Sequence, residues 1–285
     1  MTMRRAVNHM LRSVTGYELR RVKRPGTGGR PASASVRPAT APPAAEPKPQ
    51  REFPHDYDDA VKATVRAVEP YTMTSPEKLN ALIHSVRHVV RHRIPGAIVE
   101  CGIWRGGSML AAARTLTEVG DTSRELHLYD TFEGMSEPSE QDRRHDGRSA
   151  AEMPAASPRS AGVRAYASAS LEDVQETMRQ TDCPADRIHY HRGKVGDTVP
   201  GNVPDRISIL RLDTDWYGST RHELKHLWPR PVPGGVLLLD DYGWWEGAKR
   251  AVDEWLEGAG VPLLLLRMDE GRVAVKPPAT WDHDA

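Results

Sequence analysis

The 285-residue chain predicts an α/β fold, a mostly parallel sheet with helices on both faces. Three observations carry this. Short apolar runs recur along the chain and alternate with helical stretches. Two of them end in acidic clusters, Leu210-Arg-Leu-Asp-Thr-Asp215 and Val236-Leu-Leu-Leu-Asp-Asp241. A third, Ala97-Ile-Val-Glu100, runs into the glycine-rich turn Cys101-Gly-Ile-Trp-Arg-Gly-Gly107 and then into a helix. Apolar runs of this length, flanked by turn residues, are what parallel strands buried on both faces require.

The elements follow in order. Ser75-Pro-Glu-Lys78 is a helix start, with serine as N-cap, proline at the first position and an acid in the first turn. Leu79, Leu82, Ile83, Val86, Val89 and Val90 then recur at three-to-four spacing, a stripe suited to packing on a sheet. A strand at 97–100, a helix from about Ser108 and a second strand at 126–130 form the first alternating unit. Residues 133–165 are polar and rich in Ser, Arg, Asp and Pro, and their length predicts a lid over a ligand pocket. Beyond it come a helix at 170–180, a strand at 188–192 and a turn at 193–197. A strand at 207–212, a helix at 219–228, a turn at 229–235, a strand at 236–239 and a helix at 248–257 complete the alternation. The C-terminal runs 263–267 and 273–275 flank Met268-Asp-Glu-Gly271 and predict an antiparallel hairpin.

Composition narrows the function. Zero formal net charge gives no global attraction to nucleic acid or to anionic membranes. No apolar stretch approaches the ~20 residues that span a bilayer. Only Cys101 and Cys183 are present, so a disulfide framework is not expected and a cytoplasmic location is. Residues 1–50 hold ten Lys or Arg against Glu18 and Glu46, and 25–50 are rich in Pro, Ala, Gly and Ser. That stretch predicts a basic, flexible extension ahead of a domain at 51–285, whose first part, 51–95, forms a helical cap.

The motifs carry chemistry. Two neighbouring strands deliver Asp213, Asp215, Asp240 and Asp241 to one sheet edge. Like charges so placed repel unless a cation neutralises them, and hard divalent ions take oxygen ligands. Glycines 102, 106 and 107 let backbone approach a ligand, and the helix after them offers free N–H groups. Asp130, ending the second strand, stands where nucleotide-binding α/β folds read a ribose hydroxyl pair.

Tyr71-Thr-Met73, Val99-Glu-Cys-Gly-Ile-Trp-Arg-Gly-Gly107, Asp130-Thr-Phe-Glu-Gly134, Arg211-Leu-Asp-Thr-Asp215 and Asp240-Asp-Tyr242 occur in one order. Together they resemble the TylF/MycF family of S-adenosylmethionine- and Mg²⁺-dependent sugar O-methyltransferases, over about residues 71–275. The resemblance implies a Rossmann-like class I methyltransferase with a seven-stranded, mostly parallel sheet ending in a C-terminal antiparallel hairpin. It implies transfer of a methyl group from S-adenosylmethionine to a hydroxyl of a deoxysugar on a glycosylated small molecule. It also implies homo-oligomeric assembly, as a dimer or larger.

By the same resemblance Asp213, Asp240 and Asp241 hold the metal, Mg²⁺ or another divalent cation. Asp213 is the first candidate for the base and Asp215 the alternative. Met73, Glu100, Gly102, Trp104, Arg105, Gly106, Ser108, Asp130, Thr131, Phe132, Lys194 and Val195 are the expected cofactor contacts. Three rivals stand beside this reading: methylation of a catechol-like phenol, metal-dependent glycosyl transfer through Asp213-Thr-Asp215, and a non-catalytic scaffold. Glu100 speaks against glycosyl transfer, since its charge at the glycine turn would repel a diphosphate.

Plainer readings hold elsewhere. His84, His88 and His92, one turn apart, are expected to be packing or surface residues, as are His222 and His226. Trp244 and Trp245 are expected in a core or an interface.

Overall fold

The computed structural model describes residues 52–152, 168–260 and 262–278, which belong to one compact unit, Glu52–Ala285. The extension expected at 1–50, and the lid beyond residue 152, lie outside the described residues. Seven strands form one sheet in the order β3-β2-β1-β4-β5-β7-β6. They are β1 (Ala97–Cys101), β2 (Leu126–Asp130), β3 (Ile188–Arg192), β4 (Ile207–Leu212), β5 (Pro231–Leu239), β6 (Leu266–Met268) and β7 (Gly271–Val275). The first five pair in parallel, and β7 runs antiparallel to both β5 and β6. The fold is the one predicted, a mostly parallel sheet with an antiparallel hairpin.

Helices α1 (Asp59–Val68), α2 (Pro76–Arg91) and α3 (Gly107–Glu118) precede the first crossover's return to the sheet. Helices α4 (Leu171–Met178), α5 (Val195–Thr198), α6 (Tyr217–Leu227) and α7 (Glu246–Ala259) follow. Ser75 caps α2 as predicted, its hydroxyl accepting from the Lys78 N–H, with Pro76 in the first turn. The predicted stripe of α2 is buried from Leu79 to Val89. Each such side chain contributes roughly 1.5–3 kcal/mol by leaving water. Asp58 caps α1 and also binds Arg87 of α2, and Arg87 reaches on to Glu118 of α3, so one arginine joins three elements.

The period-two alternation of the strands divides the core. Ile98, Ile209, Val236 and Leu238 point to the face covered by α1, α2 and α3. Val99, Cys101, Leu210, Leu212, Leu237 and Leu239 point to the other, against Leu224, Leu227 and Val252 of α6 and α7. Strand order reverses between β1 and β4, and the crevice beyond their carboxyl ends is where open α/β sheets bind ligands.

Two boundaries depart from the sequence reading. β5 begins at Pro231 rather than Val236: Pro231 pairs with Ile207, and a register shift between Ile207 and Ile209 absorbs the intervening loop residues. β6 is Leu266–Met268, not 263–267, because Leu263 and Leu265 pack sideways on the core while Leu264 is 74% exposed. An apolar run at a sheet's end is thus spent on packing instead of pairing.

Behind the turn that follows β4, Glu223 of α6 is fully buried and accepts from the Thr214 hydroxyl at 3.0 and 3.1 Å. Burial pushes its carboxyl up to about 8, against the lowering effect of Thr214 and Cys101. A carboxyl raised in the folded state binds more protons folded than unfolded, so stability falls as pH rises between the unfolded value near 4.3 and about 8. Glu223→Gln removes that loss. The variant's Tm, relative to the parent, is expected to be higher at pH 8 than at pH 5 in paired thermal melts; an offset independent of pH would contradict this assignment.

Candidate active site

The glycine turn and the acidic turn meet at the switch point. Gly102 has φ +88°, and a Cβ there would lie 1.9 Å from the Asp213 carbonyl oxygen, so only glycine lets the two chain segments touch. The Asp213 N–H donates to the Cys101 carbonyl at 2.9 Å, and the Gly102 N–H donates to the Tyr129 carbonyl at 2.9 Å. Asp130 fixes the turn further. Its carboxylate accepts from the N–H groups of Ile103 (2.7 Å), Trp104 (3.1 Å) and Phe132 (2.8 Å).

Strand register sets the charged side chains. Glu100 lies beside Arg211, and Arg211 beside Leu238, in neighbouring strands. Asp213 and Asp240, each two residues further along, continue on the same face. Arg211 is 2% exposed, and its guanidinium pairs with Glu100, Asp213 (2.7 Å) and Asp240, and donates to the Thr74 hydroxyl at 2.9 Å. Lys78 of α2 reaches Asp240 from the other side, donating to a carboxylate oxygen at 2.7 Å and to the main-chain carbonyl at 2.9 Å. Asp240 therefore sits between two cations.

Among the described residues, Asp241 and Asp215 have no cation paired to them. The Asp241 carboxylate accepts from the Asp215 N–H at 3.0 Å, and the Asp215 carboxylate accepts from the Trp245 indole. Asp215 has φ +65°, which turns the chain so that both contacts are made. Burial, then Asp213, pushes the Asp215 carboxyl up to about 7 despite the Trp245 and Asp241 hydrogen bonds. Burial, then Asp215 and Asp240, pushes Asp241 well above its ordinary value. Asp213 is likewise raised by burial and by Asp240 and Asp241, against the pull of Arg211. Burial also works against Asp240, but Arg211 and Lys78 hold it low. Five carboxyls, Glu100 included, share the two cations Arg211 and Lys78 at this edge, and burial and mutual repulsion raise Asp213, Asp215 and Asp241.

A cavity of about 590 Å³ opens over these groups. Met73, Gly102, Trp104, Ser108, Asp130, Thr131, Lys194 and Val195 line it, together with Asp213, Asp215, Asp240 and Asp241. The other expected cofactor contacts stand apart from its wall. Glu100 is 1% exposed and receives the Ser108 hydroxyl at 2.6 and 2.8 Å besides Arg211, because its strand face is an interior one. Its charge is spent inside the protein, so its expected repulsion of a diphosphate loses its basis. Arg105 turns outward to the Pro70 carbonyl and the Tyr71 ring. Gly106 caps α3 with φ +87°, and Phe132 is packed in the core.

The site also uses residues to which the sequence alone assigns no role there: Arg211 behind the cavity wall, and Lys78, Trp244 and Trp245 in it. Arg211 carries a signal, a lone charge inside the apolar run Ile207-Ser-Ile-Leu-Arg-Leu212, that points to a buried partner. Lys78 shows in the sequence only as part of a helix start. Trp244 and Trp245 line the cavity, and Trp245, 5% exposed, also packs edge-on against Trp216 at 5.0 Å, so its expected core position is at the same time part of the cavity wall.

The near part of the expected lid is folded against the site. Asp142, 1% exposed, accepts from Ser139 and from the Tyr217 N–H at 2.8 Å, which ties the loop to the start of α6. Trp216 donates to the Ser136 carbonyl at 2.9 Å, and Met135, Ser136, Arg144 and Arg148 reach the cavity. Arg144 and Arg148 are paired with Asp146.

Of the helical histidines, His88 lies 3.1 Å from the Gly234 carbonyl and His222 2.9 Å from that of Val199. Neither belongs to a metal-ligating group among the described residues, whereas Asp213, Asp240 and Asp241 do, offering carboxylate oxygens within 4.8 Å of one another. Also among the described residues, no helix is long and apolar enough to cross a membrane.

Comparison with known proteins agrees with this geometry. The chain is 34% identical over 179 residues to a tetracenomycin-C 4'-O-methyltransferase of Streptomyces olivaceus, which acts on a 2,3-dimethoxy-rhamnosyl form. That alignment covers 60% of this chain and 62% of the relative, less than two thirds of its length. Mycinamicin III 3''-O-methyltransferase of Micromonospora griseorubida is 30% identical over 204 residues, covering 70% of this chain and 75% of that protein. The solved structure of the O-methyltransferase NovP superposes with a TM-score of 0.63 at 27% identity, covering 73% of this chain and 82% of NovP. The profile of the macrocin-O-methyltransferase (TylF) family matches residues 39–276, beginning inside the stretch expected to be an appendage. A match over most of the length, on a chain whose glycine turn and carboxylates meet at one crevice, makes this protein a member of the macrocin-O-methyltransferase (TylF) family.

Proposed function

We propose that the protein transfers a methyl group from S-adenosylmethionine to a sugar hydroxyl of a glycosylated small molecule, with a divalent cation held by Asp213, Asp240 and Asp241. The observation that carries this is the meeting of the Gly102 turn, Asp130 and the three carboxylates around one cavity. The relatives' acceptors, a rhamnosyl tetracenomycin and mycinamicin III, support the acceptor class.

The donor set fits a cation. It is built from hard oxygen donors, and its three carboxyls outnumber the cations Arg211 and Lys78, so burial and mutual repulsion raise Asp213 and Asp241 while Arg211 and Lys78 hold Asp240 low. When bound, S-adenosylmethionine supplies a methyl already activated on a sulfonium, and a divalent ion lowers the pKa of a neighbouring hydroxyl.

The chain's own residues do the positioning. Asp130, holding two N–H groups of the glycine turn and that of Phe132 after its own strand, fixes the cofactor loop and presents its remaining acceptor capacity to the cavity. Thr131, Lys194 and Val195 stand on the same side, where the nucleoside belongs. Arg211 and Lys78 hold Asp240 in place, and Arg211 holds Asp213. Trp216, Trp244 and Trp245 form an apolar wall near the carboxylates that keeps water from the acceptor. Asp213 takes the hydroxyl proton in this reading, and Asp215 is the alternative base.

The test is a transfer assay of the purified full-length protein with S-adenosylmethionine and a panel of glycosylated acceptors, read by mass spectrometry. Methylated sugar that forms with Mg²⁺ and is lost with EDTA is the expected result. Binding of a uridine diphosphate with no binding of S-adenosylhomocysteine would overturn the reading.

Asp213→Asn is expected to lower kcat by about 10²–10⁴-fold, the range of a general base, with S-adenosylhomocysteine affinity retained. The comparison with Asp215→Asn, by kcat at saturating Mg²⁺, decides between the two bases: the larger loss marks the proton acceptor.

A further inference from the structure

We propose a second metal site, for a transition-metal ion of the Zn²⁺ class, formed by Glu125, His127 and His189. It lies on the sheet face opposite Arg211 and at the amino ends of the strands, away from the carboxylate edge. The parallel register sets His127 of β2 directly beside His189 of β3, and Tyr129 beside His191. Glu125, two residues before His127, projects to the same face. One carboxylate oxygen and one nitrogen from each ring lie within 4.8 Å of one another.

The distances suit an ion better than direct bonding. A Glu125 oxygen is 3.5 Å from His127 Nε2, and the other is 3.8 Å from His189 Nε2. The second is too long for a hydrogen bond and the first is at its limit. Ligands held at 2.0–2.1 Å around a tetrahedral ion are about 3.4 Å apart, close to both values. His189 Nε2 is shielded from solvent and has no hydrogen-bond partner. A buried ring nitrogen left unpaired is costly, and coordination would satisfy it.

Supporting contacts are those of a ligating histidine. His127 Nδ1 lies 3.1 Å from His191 Nε2, a pairing that orients the ring and leaves Nε2 free to ligate. His191 in turn stacks on Tyr129, with centroids 4.1 Å apart and planes at 12°. Glu125 and His127 border an open cavity of about 700 Å³, which gives an ion access. The competing cation is Arg187, whose half-exposed guanidinium is 3.8 Å from Glu125 and is also shared with Asp186 at 3.9 Å.

Two imidazoles and one carboxylate select Zn²⁺ or Ni²⁺ over Mg²⁺, so this site is chemically separable from the Asp213, Asp240 and Asp241 set. Its occupancy would clamp the edge strand β3 to β2. The inference stands independently of the proposed methyl transfer.

The experiment uses untagged full-length protein stripped of metal and kept in saturating Mg²⁺. Zn²⁺ is titrated by calorimetry, and thermal melts are recorded with and without Zn²⁺. One Zn²⁺ per chain is expected, with a raised Tm. His189→Ala and Glu125→Gln, at partly exposed positions, are each expected to weaken binding at least tenfold and to abolish the Tm gain. His88→Ala and Asp241→Asn are expected to leave Zn²⁺ affinity within twofold. No Zn²⁺ binding by the parent, affinity unchanged in both His189→Ala and Glu125→Gln, or binding lost in Asp241→Asn would each overturn the proposal.

Discussion

The buried guanidinium of Arg211 is the contact on which the rest of the site depends. Glu100, Asp213 and Asp240 come from three adjacent segments of the sheet edge, and none of their charges would tolerate burial unpaired. Arg211 touches all three and also the Thr74 hydroxyl ahead of α2. Lys78 completes the neutralisation of Asp240 from α2. With these two cations in place, Asp213 and Asp240 are held at the cavity wall, and Asp215 and Asp241 beside them have no cation paired to them among the described residues.

This arrangement follows from strand geometry. Residues two apart share a face, so a charged residue placed in β4 in line with Glu100 of β1 must meet Asp213 and Asp240 along the same row. The opposite face carries Cys101, Thr214 and Glu223, where a raised carboxyl steadies the acidic turn from behind. Gly102 lets the cofactor turn and the acidic turn approach to contact distance. The switch point then places both turns over one crevice.

Much of this is legible in the sequence. Apolar runs locate β1, β2 and β4 closely, because strands buried on both faces leave an unambiguous hydrophobic signal; the edge strand β3, half-buried, is found from its place in the alternation. The ends of β5 and β6 are less legible: Pro231 pairs across an irregular register, and Leu263 and Leu265 pack without pairing. The acidic clusters identify the cavity, and eight of the twelve expected cofactor residues line it. Glu100, Arg105, Gly106 and Phe132 do not, since a motif gives proximity in sequence while side-chain direction is set by packing. The roles of Lys78 and the tryptophans are hidden in the sequence because their contacts cross between distant parts of the chain. The histidines of β2 and β3 become a group only once the register of those two strands is known.

Equilibrium urea unfolding of Arg211→Met, compared with the parent in metal-free buffer, tests the central claim most directly. Removing the cation leaves buried carboxylates uncompensated, and the account predicts a loss of about 3–5 kcal/mol. A variant within about 1 kcal/mol of the parent would show that the carboxylates are held by other means, and would contradict the role of Arg211 as their organising cation.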